Sequence, residues 1–176
     1  FYGKGFERPV YFCTGKPQGL GKYKNNATGV ASTAGKFSSA FALGSLLLKD
    51  TAYASLLKRK AFTAYEMGIK QPGVCQTASV VSPYIYAEDN WVDDMELAAA
   101  SLYTVTRKNT YQQQALDFAG KEKVTPWLGK DTAKHYQWYP FINLGHYELA
   151  KHLGKTERQQ VVNYYKTGIE MVWEKA

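Results

Sequence analysis

Residues 93–119 read Asp93-Asp94-Met95-Glu96-Leu97-Ala98-Ala99-Ala100-Ser101-Leu102-Tyr103-Thr104-Val105-Thr106, then Arg107-Lys108-Asn109-Thr110, then Tyr111-Gln112-Gln113-Gln114-Ala115-Leu116-Asp117-Phe118-Ala119. In the first part Met95, Ala98, Ala99, Leu102, Tyr103 and Thr106 recur at the spacing of one helical face. The third part continues as a second helix, expected over 111–119. A link as short as 107–110 forces the second helix to run back along the first, so the stretch reads as a helical hairpin. Thr110 closes the link and is expected to cap the next helix by accepting a backbone N–H bond.

The same unit occurs on both sides. Helices are expected over 31–48, with Phe37, Ala40, Phe41, Gly44, Leu47 and Leu48 in phase, and over 52–69, with Leu56, Leu57, Ala61, Ala64, Tyr65 and Gly68. The link between them is Lys49-Asp50-Thr51. A further pair is expected over 141–153 and 157–173, joined by Gly154-Lys155-Thr156. The hairpins recur roughly every fifty residues, a repeat-like signature. Residues 1–30 are too rich in Gly, Asn and Pro for a helix and read as a long loop, with a short strand at 10–13. Between hairpins the chain makes long excursions, 70–92 and 119–140, of a length usually reserved for function. If the short links lie on one face, the long segments lie on the other. Side-by-side hairpins give an open solenoid or a closed toroid. The expectation is therefore an all-α chain with one domain over 1–176, loop-rich over 1–30 and three hairpins over 31–176.

Composition narrows the function. The chain has 176 residues, 45% hydrophobic and 21% charged, which is a globular balance. No apolar run is long enough for a membrane span. The net charge of +7 comes from scattered lysines, with no stripe, zinc-finger spacing or phosphate loop, so no nucleic-acid partner is expected. The Gly- and Lys-bearing stretch Arg8-Pro9-Val10-Tyr11-Phe12-Cys13-Thr14-Gly15-Lys16-Pro17-Gln18-Gly19 has the wrong spacing for such a loop and reads as a structured loop near the toroid mouth. Cys13 and Cys75 allow one disulfide or two free thiols. No charged-then-apolar leader opens the chain.

Aromatic residues carry the most functional information. Outside the helices they collect in the long segments: Tyr84, Tyr86, Trp91, Trp127, Tyr136, Trp138 and Tyr139. Sugar rings stack their apolar faces on Trp and Tyr while their hydroxyls need polar partners, so an aromatic loop face suits a carbohydrate. Substrate-binding candidates are Tyr86, Trp91, His135, Tyr136 and Trp138. The segment 84–97 also carries Glu88, Asp89, Asp93, Asp94 and Glu96. Asp93 and Asp94 suit a helix N-terminus, where free N–H groups and the dipole favour negative charge. Glu88 and Asp89 precede the helix, where a substrate or a buried Lys or Arg could hold them. His146 and His152 are six apart, not the four that a helical metal site needs, and no metal or cofactor is expected.

These residues resemble glycoside hydrolase family 9. The stretch 28–42, Thr28-Gly29-Val30-Ala31-Ser32-Thr33-Ala34-Gly35-Lys36 and onward, is similar to that family's helix of Ala-rich repeats. Asp93-Asp94-Met95-Glu96-Leu97-Ala98-Ala99-Ala100-Ser101-Leu102-Tyr103 resembles its Asp-Glu-Leu helix, and Trp138 through Gly145 with Glu148-Leu149-Ala150-Lys151 resembles its aromatic loop and following helix. The bacterial branch is nearest, through Arg8-Pro9-Val10-Tyr11-Phe12 and Glu88-Asp89-Asn90-Trp91. The resemblance implies an (α/α)6 toroid of which this chain supplies about half. It implies inverting hydrolysis of a β-linked glucan or related oligosaccharide, a secreted, periplasmic or cell-surface location, and the remainder of the same catalytic domain as a partner. Inversion uses a base and an acid about 6.5–9.5 Å apart. In the family the base lies upstream in an Asp-rich motif and the acid near the far C-terminus. Neither motif is present here, so no catalytic residue is assigned. The other readings are a helical-repeat binding module and another six-hairpin enzyme, glucoamylase-like or a polysaccharide lyase.

Overall fold

A computed structural model describes residues 12–19, 21, 24–76, 88–124 and 143–174. They contain six helices and, among the described residues, no strand: α1 (Ala31–Leu47), α2 (Thr51–Lys70), α3 (Val92–Thr106), α4 (Asn109–Lys121), α5 (Leu144–Ala150) and α6 (Lys155–Trp173). Phe12 and Cys13, the described part of the strand expected at 10–13, are irregular.

The helices form two rows. α3 packs on α1 and α5 along an inner row, while α2, α4 and α6 pack on the outer side of α1, α3 and α5. Residue size explains the division. α1 buries Ala31, Ser32, Ala34, Gly35, Ser38, Ser39 and Ala42, and α3 buries every residue from Ala98 to Leu102. A helix buried all round belongs in the interior. Small side chains let such helices approach closely, and Ser38 Oγ of α1 donates across to the Ala61 carbonyl of α2 at 2.9 Å. The outer helices bury a single stripe, for example Ala61, Tyr65 and Gly68 of α2 or Ala115, Phe118 and Ala119 of α4.

Two glycines set the inner spacing. A Cβ at Gly35 of α1 would lie 2.7 Å from the Asp94 backbone carbonyl carbon and oxygen in the first turn of α3. A Cβ at Gly145 of α5 would lie 2.9 Å from the Glu96 side chain on the other flank of that turn. First turn meets first turn on both sides. At the opposite end Thr104 of α3 meets His152 beyond α5 at 2.8 Å. The inner helices are therefore parallel. Among the described residues, the stretches 71–76, 88–91 and 122–124, where the chain leaves for or returns from its long excursions, lie at the N-terminal ends of the inner helices, and the short links lie at the other end.

The ends of several helices depart from expectation. Thr51, Thr110 and Thr156 lie inside their helices and are not N-caps. Asp50 caps α2, accepting from the Ala52 and Tyr53 N–H groups at 2.9 and 3.1 Å, because a carboxylate one residue earlier is the stronger acceptor. The turn into α4 is made by Arg107 in the left-handed region at φ 58°, its N–H bonded to the Tyr103 carbonyl. Its guanidinium lies over the Tyr103 ring and its Nη1 is 3.2 Å from His152 Nδ1. α5 is shorter than the expected 141–153. Asn143 starts it by accepting from the Gly145 and His146 N–H groups, and residues 151–153 form a separate turn.

Cys13 and Cys75 are joined in a disulfide across a sequence separation of 62. The segments on either side of it are also laced together. Asn25 accepts from the Gln18 N–H and donates to the Gln76 carbonyl, both at 2.9 Å, and the Thr28 N–H donates to the Val74 carbonyl at 2.9 Å. The described part of the opening segment is thus anchored to residues 74–76, beyond the end of α2, near the start of α1.

Candidate functional site at the N-terminal face of the inner helices

The first turn of α3 is the centre of this face. Asn90 organises it: its Oδ1 accepts from the Trp91 and Val92 N–H groups, and its Nδ2 donates to Glu122 Oε2 at 2.6 Å. Asp93 and Asp94 then occupy the first turn, where the free N–H groups of the helix start favour them. Lys36 reaches across from α1, donating to Asp94 Oδ2 at 2.7 Å and pairing with Glu88. A lysine, one of the holders expected for Glu88, therefore holds it, but this lysine is half exposed rather than buried; Asp89 stays exposed.

Burial and the neighbouring Asp93 push the Asp94 carboxyl up to about 8, against the opposing pull of Lys36. Burial also raises Asp93. Lys36 is raised: burial works downward, but Asp94 and Glu88 together outweigh it. Two carboxylates on one ammonium nitrogen leave no room for a sugar and a water between them, unlike the separation of about 6.5–9.5 Å that inversion requires. Glu88 and Asp94 are therefore held closer together than an inverting pair.

Deeper in the same turn lies a pair that the sequence reading missed. Glu96 is 0% and His146 1% exposed, with His146 Nδ1 2.7 Å from Glu96 Oε1. His146 Nε2 donates to the Lys123 carbonyl at 3.1 Å, and Asn143 Nδ2 donates to Glu96 Oε2 at 3.1 Å. The signal was present in the run Ala98-Ala99-Ala100-Ser101-Leu102. A helix apolar on every side buries a Glu at its start as well, and a buried Glu needs a partner.

Of the five substrate-binding candidates, Trp91 lies among the described residues; Tyr86, His135, Tyr136 and Trp138 lie outside them. Trp91 precedes α3 on the N-terminal face, partly buried, with its ring edge-on to Phe118 at 6.1 Å between centroids. Part of its surface is committed to the core. His152 belongs to the opposite face, between Thr104 and Arg107. Among the described residues no cluster of three His, Cys, Asp or Glu side chains could hold a metal, and no described helix is long and apolar enough to cross a membrane.

The model of glycosyl hydrolase family 9 matches residues 4–175. The chain belongs to glycosyl hydrolase family 9. Among solved structures it is similar to the cellulase Cel9M of C. cellulolyticum, at 24% sequence identity and a TM-score of 0.58. The match covers 78% of this chain and 30% of that cellulase, so the chain spans under a third of its length. A search of curated proteins finds no match. Family 9 membership accords with the all-α fold class read from the sequence, helical hairpins forming part of an (α/α)6 toroid. In these terms α1, α3 and α5 are inner helices of the family 9 ring, and α2, α4 and α6 are outer ones.

Proposed function

We propose that this chain is the central part of a glycoside hydrolase catalytic domain, and that the intact domain hydrolyses a β-linked glucan or related oligosaccharide with inversion. The observation that carries this reading is the parallel inner row. It brings the starts of α1, α3 and α5 to one face, and the long aromatic-bearing segments enter the helices there. Tyr86, Trp91, His135, Tyr136 and Trp138 are the proposed sugar contacts. The acid and base come from parts of the domain outside this chain.

The remainder of the domain is also the proposed partner of an uncovered face. Phe37 and Phe41 of α1 and Leu56 and Met67 of α2 line an open groove of about 500 Å³. Phe37 and Met67 are exposed there. Neighbouring hairpins of a closed ring would bury such a face. Secretion is supported by the Cys13–Cys75 disulfide, since such bonds persist in oxidising compartments.

The test is incubation of the intact protein with soluble β-glucan oligosaccharides, following product anomers by NMR. The expected result is release of the inverted anomer. Trp138→Ala is expected to weaken oligosaccharide binding by about 1–3 kcal/mol, the value of one aromatic stack. Unchanged affinity removes Trp138 from the site. A folded intact protein that neither cleaves nor binds these sugars leaves the helical-repeat binding module as the better reading.

A further inference from the structure

Trp91 is held at two points, and both lead to the last turn of α4. Its ring stands edge-on to Phe118, which is buried. Its N–H group donates to Asn90 Oδ1 at 2.8 Å, and the same oxygen accepts from the Val92 N–H group at 3.1 Å. Asn90 Nδ2 in turn donates to Glu122 Oε2 at 2.6 Å. Glu122 is buried and follows Phe118 by one turn, its own N–H group bonded to the Phe118 carbonyl at 3.0 Å. On the other side the Trp91 carbonyl accepts from the N–H group of buried Met95 at 3.2 Å. The ring and the backbone of Trp91 are thus both tied to one turn of α4.

The chemistry of residue 90 separates two roles. Backbone N–H donors lie on one side of its amide and a carboxylate on the other, so the side chain accepts on one side and donates on the other. Aspartate would serve the start of α3 as well as asparagine, since a carboxylate is favoured at a helix N-terminus. It has no donor for Glu122. Capping alone does not require asparagine here; the bond to Glu122 does.

We propose that Asn90 and Glu122 are positioning residues: they tie the backbone of Trp91 to the α4 turn that bears Phe118, and so hold the indole at the angle from which it stacks on a sugar. This rests on the glycan reading above, and within it on Trp91 as a sugar contact. Stacking depends on the offset and tilt of the two faces, so an aromatic platform has to be presented in one orientation. A ring contact alone leaves the indole to follow any shift of its backbone. Fixing that backbone to the turn that carries the ring's neighbour keeps the two in register.

The test uses the intact protein labelled with 5-fluorotryptophan, the Trp91 fluorine signal being assigned by its loss in Trp91→Ala, with cellotetraose affinity measured alongside. Trp91→Ala should weaken binding by about 5- to 150-fold, the range of one aromatic stack. Asn90→Asp should move the Trp91 signal and weaken binding by at least about threefold, and by no more than Trp91→Ala does. Glu122→Gln should match wild type, because its amide oxygen still accepts from Asn90. Asn90→Asp combined with Glu122→Gln should restore signal and affinity, with donor and acceptor exchanged across the same bond. In a Trp91→Ala background Asn90→Asp should change affinity by less than about twofold, whereas a general loosening of the face would weaken both backgrounds alike. If Asn90→Asp does not fold, Glu122→Ala decides: it leaves the Asn90 cap in place, removes the acceptor, and should show the same moved signal and weakened binding. An unmoved Trp91 signal, a moved signal at wild-type affinity, a loss that Glu122→Gln does not restore, or an equal loss in the Trp91→Ala background overturns the proposal. Wild-type affinity in Trp91→Ala removes Trp91 from the sugar site and the positioning role with it. A protein that binds no cellotetraose overturns the glycan reading and the positioning role together, while the fluorine signal still decides the tie between Asn90 and Glu122.

Discussion

Gly35→Ala probes the close approach that makes the inner row possible. The added Cβ would stand 2.7 Å from the backbone carbonyl carbon and oxygen of Asp94, where ordinary contact begins at 3.4 Å. Backbone cannot swing aside as a flexible side chain can, so α1 and α3 must part by about 0.7 Å or tilt. Overpacking of this kind costs about 1–3 kcal/mol. Alanine also gains about 0.5–1 kcal/mol of helix propensity over glycine. The net expectation is a loss of about 1–2 kcal/mol, or about 2–8 °C in Tm for a domain of this size. Gly120→Ala is the matched control. It sits near the end of α4, and a Cβ there meets nothing within 4 Å. It should show the propensity gain alone and stabilise by about 0.5–1 kcal/mol. Urea and thermal unfolding of the intact protein, followed by circular dichroism, measure both. Equal stabilities for the two variants would refute the tight α1–α3 contact as the basis of the inner row.

Reducing the Cys13–Cys75 bond, or introducing Cys13→Ser with Cys75→Ser, should cost about 4 kcal/mol by the chain entropy of a loop of 62 residues; a change below about 1 kcal/mol in urea unfolding would show that the segment's hydrogen bonds suffice. Asp94 is raised to about 8 by burial and Asp93, so the folded state keeps a proton that the unfolded chain releases near 3.8. Its contribution is present below the lower value and lost as pH climbs toward the upper one. Asp94→Asn should flatten that decline and be the more stable protein at pH 8; equal slopes in urea midpoints between about pH 5 and about pH 8 would refute the assignment. Asp50→Ala should destabilise by about 1 kcal/mol through loss of the α2 cap, whereas Thr51→Ala should change stability far less. Reversal of that order in thermal melts would return the capping role to Thr51.

Family and fold were legible because their signals are local. Helical spacing in 93–106 and the brevity of the link after it specify a hairpin without knowledge of any distant residue. Alternation of short and long connections then separates the two faces. The face at which the inner helices start is the one where Gly35 meets Asp94 and Gly145 meets Glu96. Cap identity was harder to read. Asp50 and Thr51 are adjacent and both can cap, and the carboxylate, the stronger acceptor, takes the Ala52 and Tyr53 N–H groups. The end of α5 was overextended for a related reason, since Phe141 and Ile142 continue an apolar pattern that Asn143 interrupts through its own side chain.

What the sequence determined alone is the succession of helices, their pairing into hairpins and the separation of the two faces, because each follows from residues within a few turns of one another. Tertiary structure decided the partners. Lys36 meets Asp94 58 residues on, His146 meets Glu96 50 residues back, and Cys13 finds Cys75 across 62. A charged or reactive side chain carries no mark of which distant group will satisfy it. Burial makes a partner obligatory, and the packing of α1, α3 and α5 into one parallel row selects which partner is within reach.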